Sequence, residues 1–528
     1  MPRGYQCIVL HAHLPYIRHP EYDSFLEENW LFEAITETYV PLILALERLR
    51  DAGVRECLTL SLSPTLLTML RDPFLQARYL AHMDRLQRLA AREVRRTRDD
   101  PAFAPLARLY RDRLEEAVAL FETRYARDLV DAFARLQADG VVELITTAAT
   151  HGYLPLLKTE TVAVRAQLLV GAQTFQSMVG VPARGAWLPE CGYYPGLEGL
   201  LEEAGYNYFF VDSHGILNAT PRPYYGLSAP LVCPNGVAAF GRDPESSRRV
   251  WSRQEGYPGD FQYRDFYRDI GFDLDFDYIR PFILDGHTRI HTGFKYYGIT
   301  GPDEHKLPYD PDQAARRVAA HAEDFVGRSR RHIAAQGERR GPAPLIVSPY
   351  DAELFGHWWF EGPQWLEAVI RRMADAPDAA ALTTPSAYLA GHTSLQSATP
   401  SASSWGDGGY NAFWLNPGND WIYPHLHDAA HRMNVLARQH GDAAPGSLPY
   451  RALQQAGRSL LLAQASDWAF IMKSDTAKEY ARRRTRDHLA RFNYLEQCVL
   501  VGTIDERRLQ ALEVMDQLFP DLEPAVYC

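Results

Sequence analysis

Residues 5–13 read YQCIVLHAH. The run Tyr5–Leu10 has the length and apolar content of a buried strand, and it ends in two histidines, His11 and His13. The next fifty residues set a pattern. Trp30–Ala52 places Leu42, Ala45, Leu46 and Leu49 on one helical face, Gly53 supplies a stop, and Cys57–Leu62 is a second strand. Strand, helix and strand in this order predict a parallel sheet covered by helices. The strand signal returns at Val141–Thr147, Arg184–Leu188, Tyr208–Val211, Val237–Phe240 and Leu345–Pro349.

Between these strands the texture changes. Residues 72–138 are rich in Arg, Leu, Ala and Glu and are interrupted near Pro101 and Pro105, which predicts an inserted helical subdomain or an extended pair of barrel helices. Residues 243–310 are dense in Tyr, Asp, Gly and Phe with little periodicity, as in segments that shape a ligand site. Ala398–Gly409 is small and polar and reads as a linker or loop; Tyr423–Gln439 and Tyr450–Glu513 beyond it are strongly helical. The expected division is a catalytic unit over 1–395 carrying the helical insertion at about 72–138, then a C-terminal α-helical unit over 396–528.

In a parallel α/β barrel the chemistry sits at the C-terminal ends of the strands. Here those ends carry His11 and His13, then His151, Glu190, Asp212 with His214, Asp243, and Asp351 with Glu353. Six strand ends with reactive side chains imply one shared mouth. Glu190 lies in GAWLPECGYYPG (185–196) and Asp351 in SPYDAELFGHWWFEG (348–362), each after a buried run and each beside aromatic residues. Two carboxylates flanked by aromatic surface are what glycosidic-bond cleavage requires.

Each assignment has a competitor. Glu190 could cap a following helix. Glu353, two residues beyond Asp351, faces the same way on an extended segment. His11 and His13 alternate onto one side and suit sugar hydroxyls, metal ligation or core satisfaction; a metal would need further ligands such as His151 and Asp212. Trp358, in His357–Phe360, is either core packing or a stacking surface for a sugar ring. Trp405 and Trp414 lie in or beside a Gly/Asn/Pro-rich loop, which favours ligand contact, and Asp467 with Trp468 are open to either reading.

Composition narrows the class. The formal net charge is −11, unsuited to phosphate-backbone binding and suited to a neutral ligand. The six cysteines are widely spaced without a CxxC pair, which predicts free thiols in a reducing cytoplasm. The N-terminal apolar run is too short for a signal peptide and no stretch reaches membrane-spanning length, so no nucleic acid and no membrane are expected as partners.

Five motifs occur in order: HAHLPY (11–16), ELITTAATHGYLPLL (143–157), GAWLPECGYYPG (185–196), SPYDAELFGHWWFEG (348–362) and AQASDWAFIMKSDTA (463–477). With them nearly the whole chain resembles glycoside hydrolase family 57, and within it the 1,4-α-glucan branching enzymes. The resemblance implies a distorted (β/α)7 barrel with a helical insertion and a C-terminal helical domain. It implies a retaining double displacement with Glu190 as nucleophile and Asp351 as general acid/base. His11, His13, His151, Trp30, Asp243, Trp358, Trp405, Trp414, Asp467 and Trp468 are then expected to contact the glucan. No cofactor and no metal are implied; the expected partner is an α-1,4-glucan such as amylose, amylopectin or a glycogen precursor, bound by a monomer or small homo-oligomer. Branching enzymes of the family carry a loop Tyr over the acceptor site, and the matching stretch here is RPYYGLSAPLVCPNG (222–236). The alternatives are an α-amylase or 4-α-glucanotransferase on the same fold, a metal-dependent hydrolase or deacetylase using His11, His13 and His151, and a non-catalytic glucan binder.

Overall fold

A computed structural model describes residues 2–252, 255–283, 286–301, 305–336 and 341–528. Nine strands form the sheet: β1 Tyr5–Ala12, β2 Leu58–Leu62, β3 Val142–Thr147, β4 Gly185–Trp187, β5 Tyr208–Val211, β6 Leu231–Val232, β7 Ala238–Gly241, β8 Leu345–Asp351 and β9 Ala381–Leu382. They run in the order β6-β7-β5-β4-β3-β2-β1-β8, with β9 beside β1. β1, β2, β3, β4, β5, β7 and β8 are parallel neighbours, and only β6 pairs antiparallel. The seven predicted strands are these seven, displaced at their ends by no more than two residues. Their runs are legible because both faces of the sheet are covered: β2 is buried at every position.

The sheet does not close by strand pairing between β7 and β8. Helix Pro244–Trp251 closes it instead. The Asp243 amide donates to the Val347 carbonyl at 2.8 Å, the Ser348 hydroxyl donates to Ser246 Oγ at 2.7 Å, and the Tyr350 hydroxyl donates to the Ser246 carbonyl at 3.0 Å. Asp243 also caps this helix, its Oδ2 accepting from the Ser246 amide at 2.7 Å. Asp243, expected to touch the substrate, is buried here and commits Oδ2 to the helix cap.

Between β2 and β3 the helices Pro73–Arg96 and Phe103–Ala119 pack as a pair, and Leu129–Ala138 packs against β3 and helix Val40–Asp51. Asp72 starts the first by accepting from the Phe74 amide at 2.8 Å, with Pro73 pre-set for the first turn. At the other end of the chain Ile422–His440, Leu448–Ala463, Ser466–Ser474, Lys478–Val501 and Glu506–Met515 form a helical bundle. One hydrophobic core runs unbroken from the sheet into it, through residues such as Leu453, Ala456, Leu460 and Phe492.

Two expectations about loops change. Ala398–Gly409 is not a free linker. It is a strap that runs from Val232 to Glu190 at the mouth, with Thr399 bridged to Thr220, Ser403 to Tyr193, and the Ser401 amide bonded to the Gly215 carbonyl at 2.8 Å. The stretch 222–236, expected to cover the acceptor site, lies at the opposite end of the barrel. Val232 pairs with Ala238 at the start of β7, and the Leu345 amide, at the start of β8, donates to the Ser228 carbonyl at 2.9 Å. Tyr225 packs against Gly341, just ahead of β8. Among the described residues no helix is long and apolar enough to cross a membrane.

Candidate active site

Register brings the site together. His11 lies level with Ser61 on one neighbouring strand and with Asp351 on the other. The end of β4 delivers Glu190 through a turn in which Glu190 (φ 61°) and Cys191 (φ 50°) are both left-handed; His151, after β3, is too (φ 56°). Non-glycine residues hold this conformation only where their surroundings force it, and such residues gather at reactive sites.

Glu190 is gripped from three directions. The Trp405 indole Nε1–H donates to Oε2 at 2.8 Å, the Ser466 hydroxyl to Oε1 at 3.1 Å, and the Trp405 amide to the Glu190 carbonyl at 3.0 Å. Its carboxyl is thus a presented group with fixed lone pairs, and it caps no helix. Burial pushes its pKa up to about 7, with the Asp467 charge adding to the rise and the Trp405 and Ser466 hydrogen bonds opposing it.

Asp351 and Glu353 differ in their hydrogen bonding. Glu353 Oε1 accepts from the Tyr39 hydroxyl at 2.6 Å and from the His13 amide at 3.2 Å. The Asp351 carboxyl accepts no hydrogen bond from the described residues and stands at the end of β8 facing the mouth. Burial and the Glu353 and Glu190 charges hold it well above the usual carboxylate range, opposed by Arg242. Tyr39 reaches Glu353 from a π-helical turn, Ile35–Tyr39, of a kind frequent at functional sites; the same turn brings Glu37 to His357 Nδ1 at 2.8 Å.

The three histidines do different things. His13 Nε2 meets Asp467 at 3.1 and 3.2 Å. Burial works against its cation, but the Asp467, Glu353 and Glu190 carboxylates outweigh burial and raise its pKa. His11 and His151 face each other, Nε2 to Nε2 at 3.0 Å, while their Nδ1 atoms meet Ser61 at 3.1 Å and Ser466 at 2.9 Å. Burial, and then the neighbouring histidine charge, holds both well below the ordinary histidine pKa. His13, His151 and Asp467 place ligand atoms within 4.8 Å of one another. Both ring nitrogens of His151 are already engaged, as are both of His11, so neither offers a spare lone pair to a cation.

The tryptophans divide by burial. Trp358 is 53% exposed and stacks on Phe266 at 4.5 Å, and Trp251, 38% exposed, stands 6.1 Å from Trp405. Trp30 is half-buried against Tyr480. Trp414 and Trp468 are 1% and 0% exposed, so neither can offer a ring face to a glucan. Trp414 stacks behind the site on Tyr153 at 4.5 Å, and Gly406 is required beside it because a Cβ there would stand 2.5 Å from the ring. Trp468 donates Nε1–H to the Leu462 carbonyl at 2.7 Å within a second apolar cluster. Trp405, expected as a glucan contact, is partly buried and spends its indole N–H on Glu190.

Ser61, Tyr39 and Arg242 escaped the sequence reading. Arg242 pairs with Asp212 at 3.3 Å and lies over the Trp405 ring at 5.5 Å. The one available signal was polarity inside apolar runs: Ser61 interrupts the buried strand LTLSL.

The family model of glycosyl hydrolase family 57 matches residues 7–394. The chain belongs to glycosyl hydrolase family 57. A second model, of the C-terminal region of 1,4-alpha-glucan branching enzymes, matches residues 425–527. The chain is 34% identical to a 1,4-alpha-glucan branching enzyme of Thermococcus kodakarensis, over 98% of this chain and 77% of that protein. Among solved structures it resembles the alpha-amylase AmyC of Thermotoga maritima, 42% identical with a TM-score of 0.92, covering 99% of both chains. It also resembles the family 57 branching enzyme of Pyrococcus horikoshii, 33% identical with a TM-score of 0.88, covering 99% of this chain and 97% of that one. The family 57 barrel with its C-terminal helices is therefore the architecture of this chain.

Proposed function

We propose that the chain is a 1,4-α-glucan branching enzyme in which Glu190 is the nucleophile and Asp351 the general acid/base. The observation that carries this reading is the contrast between the two carboxyls. Glu190 is fixed by two neutral donors, Trp405 and Ser466, whereas Asp351 is free to exchange its proton at the mouth. The branching-enzyme match over 425–527 and the relatives named above support the transferase outcome.

An α-1,4-glucan lies across the mouth with exposed aromatics such as Trp358 and Trp251 under its sugar faces. Protonated Asp351 donates to the glycosidic oxygen while a Glu190 carboxylate oxygen attacks the anomeric carbon; the C–O bond breaks and a covalent β-glucosyl ester forms. Asp351, now the base, takes the proton from a C6 hydroxyl of the acceptor, whose oxygen displaces Glu190 and makes an α-1,6 link. Burial, the Glu353 charge and the Glu190 charge keep Asp351 protonated before the first step, and esterification removes the Glu190 share when a base is needed.

On this reading residues 1–395, with an insertion at 72–138, form the catalytic unit and 396–528 complete its cleft. The enzyme acts in glycogen biosynthesis in the cytoplasm as a monomer or small homo-oligomer; its six unpaired cysteines, five of them buried, accord with a reducing compartment.

A second reading, hydrolysis by the same two steps with water as acceptor, is favoured by the likeness to the alpha-amylase AmyC and by the position of 222–236 away from the mouth. Proton NMR of amylose after incubation separates the two. α-1,6 anomeric signals exceeding new reducing ends establish branching, and reducing ends without α-1,6 signals establish an amylase.

A further inference from the structure

Five side chains join the interior of the barrel to the nucleophile. Ser61 Oγ lies 3.1 Å from His11 Nδ1, His11 Nε2 lies 3.0 Å from His151 Nε2, His151 Nδ1 lies 2.9 Å from Ser466 Oγ, and Ser466 Oγ lies 3.1 Å from Glu190 Oε1. We propose that Ser61, His11, His151 and Ser466 form one directional hydrogen-bond chain that orients the Glu190 carboxylate, which makes all four of them positioning residues rather than contacts for sugar hydroxyls. This rests on the reading of Glu190 as the nucleophile.

The direction comes from the proton inventory. An ionised carboxylate only accepts, so the single Ser466 proton points at Glu190. Ser466 oxygen then accepts from His151 Nδ1–H. Neutral His151 keeps a lone pair at Nε2, which accepts from His11 Nε2–H, and His11 Nδ1 accepts from the Ser61 hydroxyl. The charge on Glu190 therefore sets both histidine tautomers, and each N–H or O–H dipole points its positive end toward the nucleophile. Aligned donors in a dry interior polarise one another.

The chain is built to hold and not to conduct. Ser61 is 0%, His11 2%, His151 3% and Ser466 3% exposed, so its far end has no solvent to receive a proton. The rings are clamped: His11 stacks on Trp187 at 4.7 Å and 6°, and His151 on His13 at 4.1 Å and 18°. Ser466 is tied to His151 a second time, its amide donating to the His151 carbonyl at 3.0 Å, across a junction where His151 and Glu190 are both left-handed. A neutral donor at the end of this chain fixes Oε1 without pairing the nucleophile with a full positive charge.

The test uses the full-length enzyme acting on amylose. Ser466→Ala lowers kcat about tenfold with KM within about twofold, and moves the acid limb of the pH–rate profile to higher pH, because a donor to the ionised form is lost. Ser466→Thr, which keeps the hydroxyl, restores most of the rate. Ser61→Ala acts in the same direction, and Ser61→Ala/Ser466→Ala falls little further than Ser466→Ala alone. In wild-type enzyme labelled with 15N at histidine, His151 carries its proton on Nδ1 and His11 on Nε2, which NMR reads without any turnover; His11→Gln and His151→Gln assign the signals. Reversed tautomers, independent losses in the double variant, or a rise in KM at unchanged kcat would overturn the chain. Full activity in Glu190→Gln would instead remove the nucleophile assignment and leave the tautomer result standing.

Discussion

Trp405 and Glu190 meet twice, side chain to side chain at 2.8 Å and Trp405 amide to Glu190 carbonyl at 3.0 Å. The strap 398–409 thus reaches the end of β4 and fixes the orientation of the Glu190 carboxyl. Trp405→Phe keeps the ring's packing on Trp187 and removes one donor. It is expected to lower kcat about tenfold with little change in melting temperature. Steady-state kinetics alongside calorimetry separate this from a loss of fold.

Removing either carboxyl function has a larger effect. Glu190→Gln and Asp351→Asn each reduce turnover at least about a thousandfold while the far-UV circular dichroism stays unchanged. Glu353→Gln retains far more activity, because its amide oxygen still accepts from Tyr39 and the His13 amide. Equal losses in Glu353→Gln and Asp351→Asn would reopen the choice of acid/base.

The pH profile reflects the two environments. Glu190 must be ionised to attack, and burial places it near pH 7, so kcat/KM rises with pH through about 7. Asp351 must be protonated for the first step, and burial and neighbouring carboxylates raise it, so the rate falls again only at higher pH. The two limbs belong to the coupled pair. A rate already maximal at pH 5 would contradict this arrangement.

Exposed and buried tryptophans respond in opposite ways. Trp358→Ala and Trp251→Ala raise the KM for amylose and leave the melting temperature near wild type, since both rings are open to solvent. Trp414→Ala and Trp468→Ala destabilise the protein by about 3–5 kcal/mol, because each empties a closed apolar site. Denaturant melts and amylose titrations of the four variants give both readouts.

Chelation is expected to leave turnover unchanged. His11 and His151 spend their four ring nitrogens on each other and on Ser61 and Ser466. Loss of activity in EDTA that a divalent cation restores would favour the metal-hydrolase alternative.

The strands were legible because covering both faces of a parallel sheet leaves unbroken apolar runs such as Cys7–Leu10. The strand ends were legible because an apolar run that gives way to His11, Glu190 or Asp351 marks where polar side chains gather. The placement of 222–236 was not legible, since nothing local tells a turn at the bottom of a barrel from a loop at its mouth. Nor was the burial of Trp414, where a glycine-rich flank reads as exposed while neighbouring elements cover it, or of Trp468, whose helical flank was open to either reading.

The order of the motifs and the seven strands belong to the sequence alone, because each depends on residues adjacent in the chain. Which of Asp351 and Glu353 accepts hydrogen bonds, which tryptophans are exposed and which donors hold Glu190 were decided only in three dimensions. Trp405 and Ser466 are 215 and 276 residues from Glu190. Partners so distant meet only when the sheet has closed through helix Pro244–Trp251 and the C-terminal helices have docked on its open end. Hydrogen bonds a few ångströms long depend on that closure and on no local pattern.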